Sequence, residues 1–565
     1  MISLLCPEGK TPVYRTLSET VQHDLALDWM VMQLSELEKE QNLIRRFMSQ
    51  VTDDPEVAEY RCEVFADLLA NPSVREEMVK LLDQISFMKD YGSFKRDYDK
   101  AGIWDLMHRL DEIRDYIRII EAVHRCLDGP QIRSAGMKSL KEYADGVYAD
   151  AGFARLKEDI SRISADTAHI RSVTIGINLN ERMEADSVGL VSVNSKPFTR
   201  SGMISSFAGF LQTRDQLQED TEWKDNYHYQ QISDEDVAGG LTHTAETVGL
   251  LRYHPLIAAS MLLVNKGDET VEVPHYLQRV MDGMLSSLVK KLRRVLSQHV
   301  KVSIADMALL IPEFTYYIRW TEYIEKLQAK GMHFCRPQPR KDGQPDMHSR
   351  GFYNLKLTGS MEYQDIVVND LDFDPDHRIY ILTGANRGGK TTATQAIGQL
   401  YLLAQGGISV PADSFVFAPV DAIYTHFPAD EDKTMDLGRL GEECRRFREI
   451  YQQSSRSSLI LLNETFSTTS FEEGYYIAFD AVRALRDKGV RTIYNTHMHK
   501  LGYDVDKLNA DATQTEEGGR VASLIMETEE THRTYHLKLA PPEGSSYAQD
   551  IARKYGVTYE MLLES

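Results

Sequence analysis

The sequence predicts a multidomain fold: an α-helical region, broken by a stretch with strand character, followed by a C-terminal α/β domain. Three observations predict it. At 565 residues the chain exceeds one ordinary core and has room for roughly three or four units of about 150 residues each. Up to about residue 170, long amphipathic stretches with few glycines carry apolar residues at helical spacing. After Phe352, short apolar runs alternate with helical segments, the pattern of strands layered with helices.

The helical region is clearest where Ile103, Leu106, Leu110, Ile113, Ile117 and Ile120 recur at steps of three and four, as in a coiled-coil seam or the core stripe of a bundle. Turns are expected at Asn71-Pro72 and at Asp128-Gly129-Pro130. From Ser172 to about Thr247 the character changes. Residues 174–180 and 189–194 predict short strands, and residues 213–247 hold nine Asp or Glu against Arg214 and Lys224. Such a surface is poorly suited to holding a duplex. A second helical section after Pro274, running to about Lys330, sets Leu277, Met284, Leu288, Leu292 and Val295 on one face. Residues 336–350, with Arg336-Pro337-Gln338-Pro339 and Asp342-Gly343, read as a linker. Beyond it, residues 366–373, 378–383, 458–462 and 491–494 predict strands. No repeat of about twenty to fifty residues is visible, which argues against a solenoid.

Composition bounds the function. With 42% hydrophobic and 26% charged residues the chain has enough apolar surface for several cores. No apolar run approaches the ~20 residues of a membrane span, and residues 1–12 lack the basic start and cleavage site of a signal peptide, so a cytoplasmic address and no membrane partner are expected. Five scattered cysteines without a CxxC argue against a disulfide framework or a zinc site and predict buried thiols. A net charge of -21 means that nucleic-acid binding does not follow from composition, although a local basic patch is compatible with it.

The strand at 378–383 leads into Gly384-Ala385-Asn386-Arg387-Gly388-Gly389-Lys390-Thr391, followed by the helical run 392–403. This is GxxxxGK[ST] in the strand-loop-helix setting it requires. The glycines let backbone N–H groups close around phosphates at a helix N-terminus, Lys390 reaches the outer phosphates, and the Thr391 hydroxyl is placed to ligate magnesium. Such a site also needs an acidic strand end. The apolar run 458–462 delivers Asn463 where the first carboxylate is expected, then Glu464, which suits orienting or deprotonating an attacking water. Another strand ends in Asn495-Thr496-His497, where a histidine can sense a terminal phosphate. Taken alone, His497 and His499 suit either metal ligation or an ordinary polar role.

With these residues in place, the last two hundred or so positions resemble the ATPase domain of the MutS mismatch-repair family. That family's loop typically reads TGPNMGGKST, and residues 383–392 read TGANRGGKTT. Asn369, in 366–371, sits where the family contacts nucleotide ahead of the loop strand. Residues 411–413 and 419–424 are similar to its PA(x) and PVDRIFTR stretches, Asn463-Glu464 with 467–470 looks like DE(x)nGTST, and Asn495-Thr496-His497 looks like ATH. His536 and residues 545–548 keep the spacing of a base-stacking histidine and a helix-opening SYG element. The resemblance implies ATP and Mg as cofactors, bound by Asn369, residues 384–391, Thr392 and His536, with Thr391 and Asn463 about the metal. It also implies a lever at 1–171, a clamp at 172–255, a returning lever at 256–335, the linker at 336–350 and a P-loop ATPase domain of ABC/MutS type at 351–565.

Departures matter as much. The mismatch-reading domain that would precede the lever is absent from the pattern. Phe-x-Glu, the family's wedge, occurs only at Phe447-Arg448-Glu449 and Phe471-Glu472-Glu473, both within predicted helices of the ATPase region. Where the family has a Ser-Thr pair reaching the partner's nucleotide, this chain has Gly438-Arg439-Leu440-Gly441-Glu442. Gly438 and Gly441 still permit backbone approach to a phosphate. The resemblance therefore implies a homodimer through the ATPase domains, with Glu464 and His497 catalytic, hydrolysis slowed by Asn463, and DNA as a possible ligand read without the wedge. The alternative is a nucleotide-gated scaffold that binds a protein partner with little hydrolysis. An ABC or SMC-like ATPase shares the loop logic, but nothing here resembles a transporter or a hinge.

Overall fold

The computed structural model describes residues 2–86, 103–167, 172–179, 181–182, 185–194, 286–297, 310–342, 346–374, 376–385, 388–428, 438–510, 519–529, 532–542, 557 and 561–562. The acidic stretch 213–247, Leu277, Met284, Asn386, Arg387 and residues 545–548 lie outside the described residues. Two compact units emerge, one of Met1–Asp83, Arg125–Tyr143 and Asp306–Ser565, the other of Gln84–His124 and Ala144–Ala305.

The first unit opens with helices α1 (Glu19–Asp24), α2 (Leu27–Leu34), α3 (Glu38–Met48), α4 (Pro55–Ala70) and α5 (Pro72–Ser86). Strands β1 (Arg15–Thr16) and β2 (Gln50–Val51) form a two-residue antiparallel ladder among them. Asp54 starts α4, its carboxylate accepting from the N–H groups of Glu56 and Val57 while Pro55 takes the first turn, where its missing N–H costs nothing. The chain then turns at Asn71 into α5, as the Asn-Pro pair predicts.

The second unit holds most of α6 (Ile103–Cys126), whose Leu106, Leu110, Ile113 and Ile120 are fully buried and Ile117 nearly so, so the predicted stripe is a core face. After α7 (Ala135–Ala149), helix α8 (Ala151–Thr167) returns along it, with Phe153 edge-on to Tyr116 at 6.3 Å and Lys157 paired with Glu121. Strands β3 (Ser172–Leu179) and β4 (Ala185–Asn194) make an antiparallel hairpin. In α9 (Ser286–Leu296) the buried face is Val289, Leu292 and Leu296, one position round from the expected Leu292 and Val295. The two registers differ by a single residue, less than the width of an apolar helix face.

Helix α10 (Leu310–Gln328) leads back into the first unit. Residues 336–350 are more than a linker: β5 (Gln338–Pro339) and the start of β6 (Met347–Phe352) join β7 (Asn369–Phe373) and β9 (Ser414–Phe417) in a four-stranded sheet ordered β5-β9-β6-β7. Pro339 is tolerated because β5 lies at the edge, where a missing N–H breaks no inner ladder. The main sheet contains β8 (Ile379–Thr383), β10 (Ile423–His426), β11 (Leu459–Asn463), β12 (Arg491–Asn495), β13 (Val521–Glu529) and β14 (His532–Leu539), in the order β10-β11-β12-β8-β13-β14. All pairings are parallel except β13 with β14. Strands β8, β11 and β12 in its interior, and β10 at its edge, are almost wholly buried, as expected for a sheet covered on both faces. Around it pack α11 (Lys390–Gln405), α12 (Gly438–Gln453), α13 (Phe471–Lys488), α14 (His499–Tyr503) and α15 (Val505–Ala510). The family-wedge look-alikes lie in α12 and α13, where Phe447 packs on Phe466 at 5.5 Å.

Helix α11 is the spine of this unit, with residues from Ala396 to Gln405 buried without a break. Its polar side chains and carbonyls are tied to the N-terminal helices and α10. Gln395 and Gln399 donate to the carbonyls of Asp24 and Leu25, and Gln405 to that of Thr52. The carbonyls of Gln405 and Gly406 accept from buried Arg61 (2.9 Å) and from the Tyr316 hydroxyl (2.8 Å). Among the described residues no helix is long and apolar enough to cross a membrane. Of the five free cysteines only Cys62 is buried; Cys6, Cys126, Cys335 and Cys444 are half-buried, which corrects the expectation of uniformly buried thiols. Cys126 ends α6, Cys6 and Cys335 lie outside the helices, and Cys444 within α12 packs one side against the core of the α/β domain.

Candidate functional site

In parallel sheets, ligand sites form at the carboxyl ends of the strands. Strand β8 ends at Thr383, and Gly384 turns the chain with φ 136, a conformation that residues with a Cβ rarely adopt, and a Cβ there would also meet Met526 at 3.1 Å. Gly389, at φ 90, is the residue before α11, and a Cβ there would press on Tyr535 and Met526. Lys390 opens the helix. Its ammonium donates to the carbonyls of Gly384 (2.9 Å) and Ala385 (3.1 Å), and burial lowers its pKa to about 8, partly offset by Glu464 and reinforced by Arg533. Thr391 donates from its hydroxyl to Asn463 at 3.2 Å.

The adjacent strand ends complete the arrangement. Asn463 closes β11 and faces Asn495 of β12 in register. Beyond it the backbone is strained, because Glu464 and Phe466 have φ of 54 and 64, values that non-glycine residues rarely adopt. Neighbours hold that turn: the Glu464 N–H donates to the Asn495 carbonyl (2.8 Å), the Tyr494 hydroxyl donates to the Thr465 carbonyl (2.7 Å), and the Thr465 hydroxyl meets His426 Nδ1 at 3.0 Å. Burial pushes His426 down to about 4, so it is neutral at neutral pH. The outcome is a carboxylate on the cavity that Lys390 also lines, with Glu464 Oε1 2.8 Å from His497 Nε2. Backbone strain of this kind is typical of sites that hold a group ready for chemistry.

These residues converge on one cavity of about 460 Å³. It is lined by Asn369, Gly388, Gly389, Lys390, Thr391, Thr392, Glu464 and His497 on one side and by Phe352, Leu357, Met361, Ile366, Val367 and Tyr535 on the other. Asn369 also bridges to β14, donating to the Tyr535 carbonyl and accepting from the Leu537 N–H. Of the residues singled out from sequence, Gly384 and Ala385 supply the carbonyls that hold Lys390, and Asn463 sits one bond behind Thr391. Gly438, Arg439 and Gly441 lie in the first turn of α12, away from the cavity lining, and a Cβ on Gly438 would meet nothing within 4 Å.

His536 is not in the lining. Its neighbour Tyr535 is, and Tyr535 has φ 60 beside an irregularity in the β13–β14 ladder. Sequence reasoning also missed Asn354, which lines the cavity and donates to the Thr392 carbonyl and to Gln395. Only the three-dimensional return of residues 352–367 over the loop reveals it. Among the described residues there is no group of three His, Cys, Asp or Glu able to hold a metal ion. His499 instead opens α14, its pKa lowered by burial and by His497 and Lys390.

Comparison with known proteins follows the same division. Residues 380–559 match the family model described as MutS domain V, and residues 53–330 match the one described as the MutS2 N-terminal domain. Similar curated proteins include the Endonuclease MutS2 of Thermus thermophilus, 33% identical over 198 residues, which cover 35% of this chain and 25% of that protein. The Endonuclease MutS2 of Geobacillus sp. (strain WCH70) is 26% identical over 313 residues, 54% of this chain and 37% of that protein. The DNA mismatch repair protein MutS of Chlorobium phaeovibrioides is 29% identical over 294 residues, 51% and 32% respectively. The chain thus spans between a quarter and somewhat over a third of the length of these relatives. An N-terminal helical region and a C-terminal mixed α/β domain, each matched by its own model of one family, identify the chain as a member of the MutS family.

Proposed function

We propose that the chain is an ATP-driven conformational switch of MutS type that hydrolyses ATP slowly, pairs with a second copy through its α/β domain, and acts on DNA in repair or recombination. The observation that carries this reading is the convergence of Lys390, Thr391, Glu464 and His497 on one cavity at the N-terminus of a buried helix. The helix N-terminus and the Lys390 ammonium attract the outer phosphates. The apolar wall from Phe352 to Val367, with Tyr535, suits the flat face of a base. Glu464 takes or orients the proton of the attacking water, and His497, in contact with Glu464, reports whether a terminal phosphate is present.

The donor set tests the fit to magnesium. Thr391 and Asn463 offer a hydroxyl and an amide oxygen beside the phosphate loop, the oxygen ligands or water partners that the ion prefers. Magnesium held there would neutralise phosphate charge. Asn463 supplies no negative charge, and losses around a metal site typically reduce affinity or activity by about 10- to 100-fold, which makes turnover slow.

That same asparagine favours a second reading, a nucleotide-gated scaffold with negligible hydrolysis. Phosphate release measured beside ATP affinity separates the two. We expect Glu464→Gln to bind ATP within about threefold of the parent while losing about 100-fold or more of its turnover. Unchanged turnover overturns the assignment of Glu464, tight ATP binding without release in the parent supports the scaffold, and no ATP binding removes both readings.

A further inference from the structure

The Thr391 hydroxyl, the Asn463 amide and the Asn495 amide form a closed polar ring where β11 and β12 end beside the phosphate loop. Thr391 donates to Asn463 Oδ1 at 3.2 Å, and Asn495 Nδ2 donates both to that same Oδ1 and, at 3.4 Å, to the Thr391 oxygen. Both asparagines are buried, Asn495 completely. Asn495 leaves its own Oδ1 without a hydrogen-bond partner among the described residues, so its amide is oriented by this ring alone.

The chemistry explains why two amides are needed. A carboxylate at a strand end presents oxygen whichever way it turns. An asparagine does not: one end accepts and the other carries two N–H donors of nearly the same size. Turned over, Asn463 would direct an NH2 group at the Thr391 oxygen and at any cation beside it. Some neighbour must therefore select the orientation, and that neighbour must donate.

We propose that Asn495 is a positioning residue that holds Asn463 with its oxygen toward Thr391, so that the two asparagines together replace one strand-end carboxylate at the cation position. The proposal rests on the nucleotide reading above. Asn495 does not line the cavity; it acts through Asn463. By the same logic its contribution vanishes when residue 463 is an aspartate, which has no wrong end.

The test is a double-mutant cycle on the full chain, reading ATP affinity in excess magnesium and again in EDTA. The quantity compared is the ratio of the two affinities for the parent, Asn495→Ala, Asn463→Asp and the double variant. We expect Asn495→Ala to shrink the magnesium-dependent gain by about tenfold, leaving the EDTA affinity unchanged, and Asn463→Asp to enlarge it. In the Asn463→Asp background, Asn495→Ala should change the ratio by less than about twofold. An equal effect of Asn495→Ala in both backgrounds, or an effect on the EDTA affinity alone, assigns Asn495 a merely structural role and overturns the proposal. Should the alanine variant not fold, Asn495→Thr takes its place, being suited to a strand yet too short to reach Asn463 Oδ1. If the parent binds ATP in neither condition, the nucleotide reading itself fails and this proposal with it; if it binds ATP and only the cycle is additive, the positioning role alone fails.

Discussion

Lys390 is a buried cation held, among the described residues, by two carbonyls and a nearby carboxylate, and its depressed pKa has consequences of definite sign. The unfolded chain holds this proton up to about pH 10.5 while the folded, ligand-free protein releases it near 8. Between those values the unfolded state binds more protons, so the stability of the ligand-free protein rises with pH across that window. Phosphate acts in the opposite sense, since an anion beside Lys390 favours the charged form. ATP affinity should therefore fall as pH rises from 7.5 to 9.5, by up to about tenfold per unit above the Lys390 pKa, with net proton uptake on binding. Calorimetry in two buffers of different ionisation heat reads that uptake, and Lys390→Met should abolish it; an affinity that stays flat over this range counts against Lys390 as the phosphate contact. At this scale Lys390, Thr391, Glu464 and His497 were legible because fixed spacing ties them to one loop and two strand ends. Tyr535 was not. Alternation along a strand assigns neighbouring residues to opposite faces, and the left-handed backbone at Tyr535 in an irregular ladder exchanges the expected His536 for the residue before it.

Helix α11 shows how an element joins regions that are far apart in the chain. Just past its end Gly407 adopts φ 82 against α4, where a Cβ would stand 2.3 Å from that of Arg61. Glycine is required there twice over, once by the backbone and once by the space. Gly407→Ala should therefore destabilise the protein by roughly 3 kcal/mol, the sum of a left-handed backbone cost and an overpacked contact. Gly9→Ala, at φ 79 with nothing within 4 Å, isolates the backbone cost and should lose only about 1–2 kcal/mol. Urea unfolding of the two variants checks the difference, and equal losses would show that α4 yields to the added methyl. Helices and strands were largely legible because their apolar periods are strong, as in Leu106, Leu110 and Ile113 of α6. The small sheet was not: β5 and β6 lie in a segment whose prolines and glycine read as a connection, and the partners that make them strands, β7 and β9, come later in the chain.

For the whole molecule the proposed switch entails motion between ATP-bound and ATP-free states, and two copies are needed if the Gly438 segment, outside the lining of its own cavity, meets a partner's nucleotide. Light scattering of Glu464→Gln, which retains ATP, should show the mass doubling on ATP addition and returning to one chain without it; a mass indifferent to nucleotide argues against dimerisation as the switched step. A net charge of -21 makes any DNA contact depend on local basic groups, so binding to homoduplex, mismatched and junction DNA should appear at low salt and weaken steeply as salt rises. No binding to any of them at low salt removes DNA as the ligand. The acidic middle of the chain warned of this balance, whereas the joining of the N-terminal helices to the α/β domain was invisible in one dimension: the partners of Gln405, at Thr52 and Arg61, lie more than 340 residues away. Those ties bear on how the molecule can be taken apart. A protease that nicks the proline-rich segment near residue 342 would cut the chain without parting it, because α11 remains clasped by Arg61 from one fragment while carrying Lys390 in the other. The fragments should copurify until denatured, and neither should fold as an independent unit.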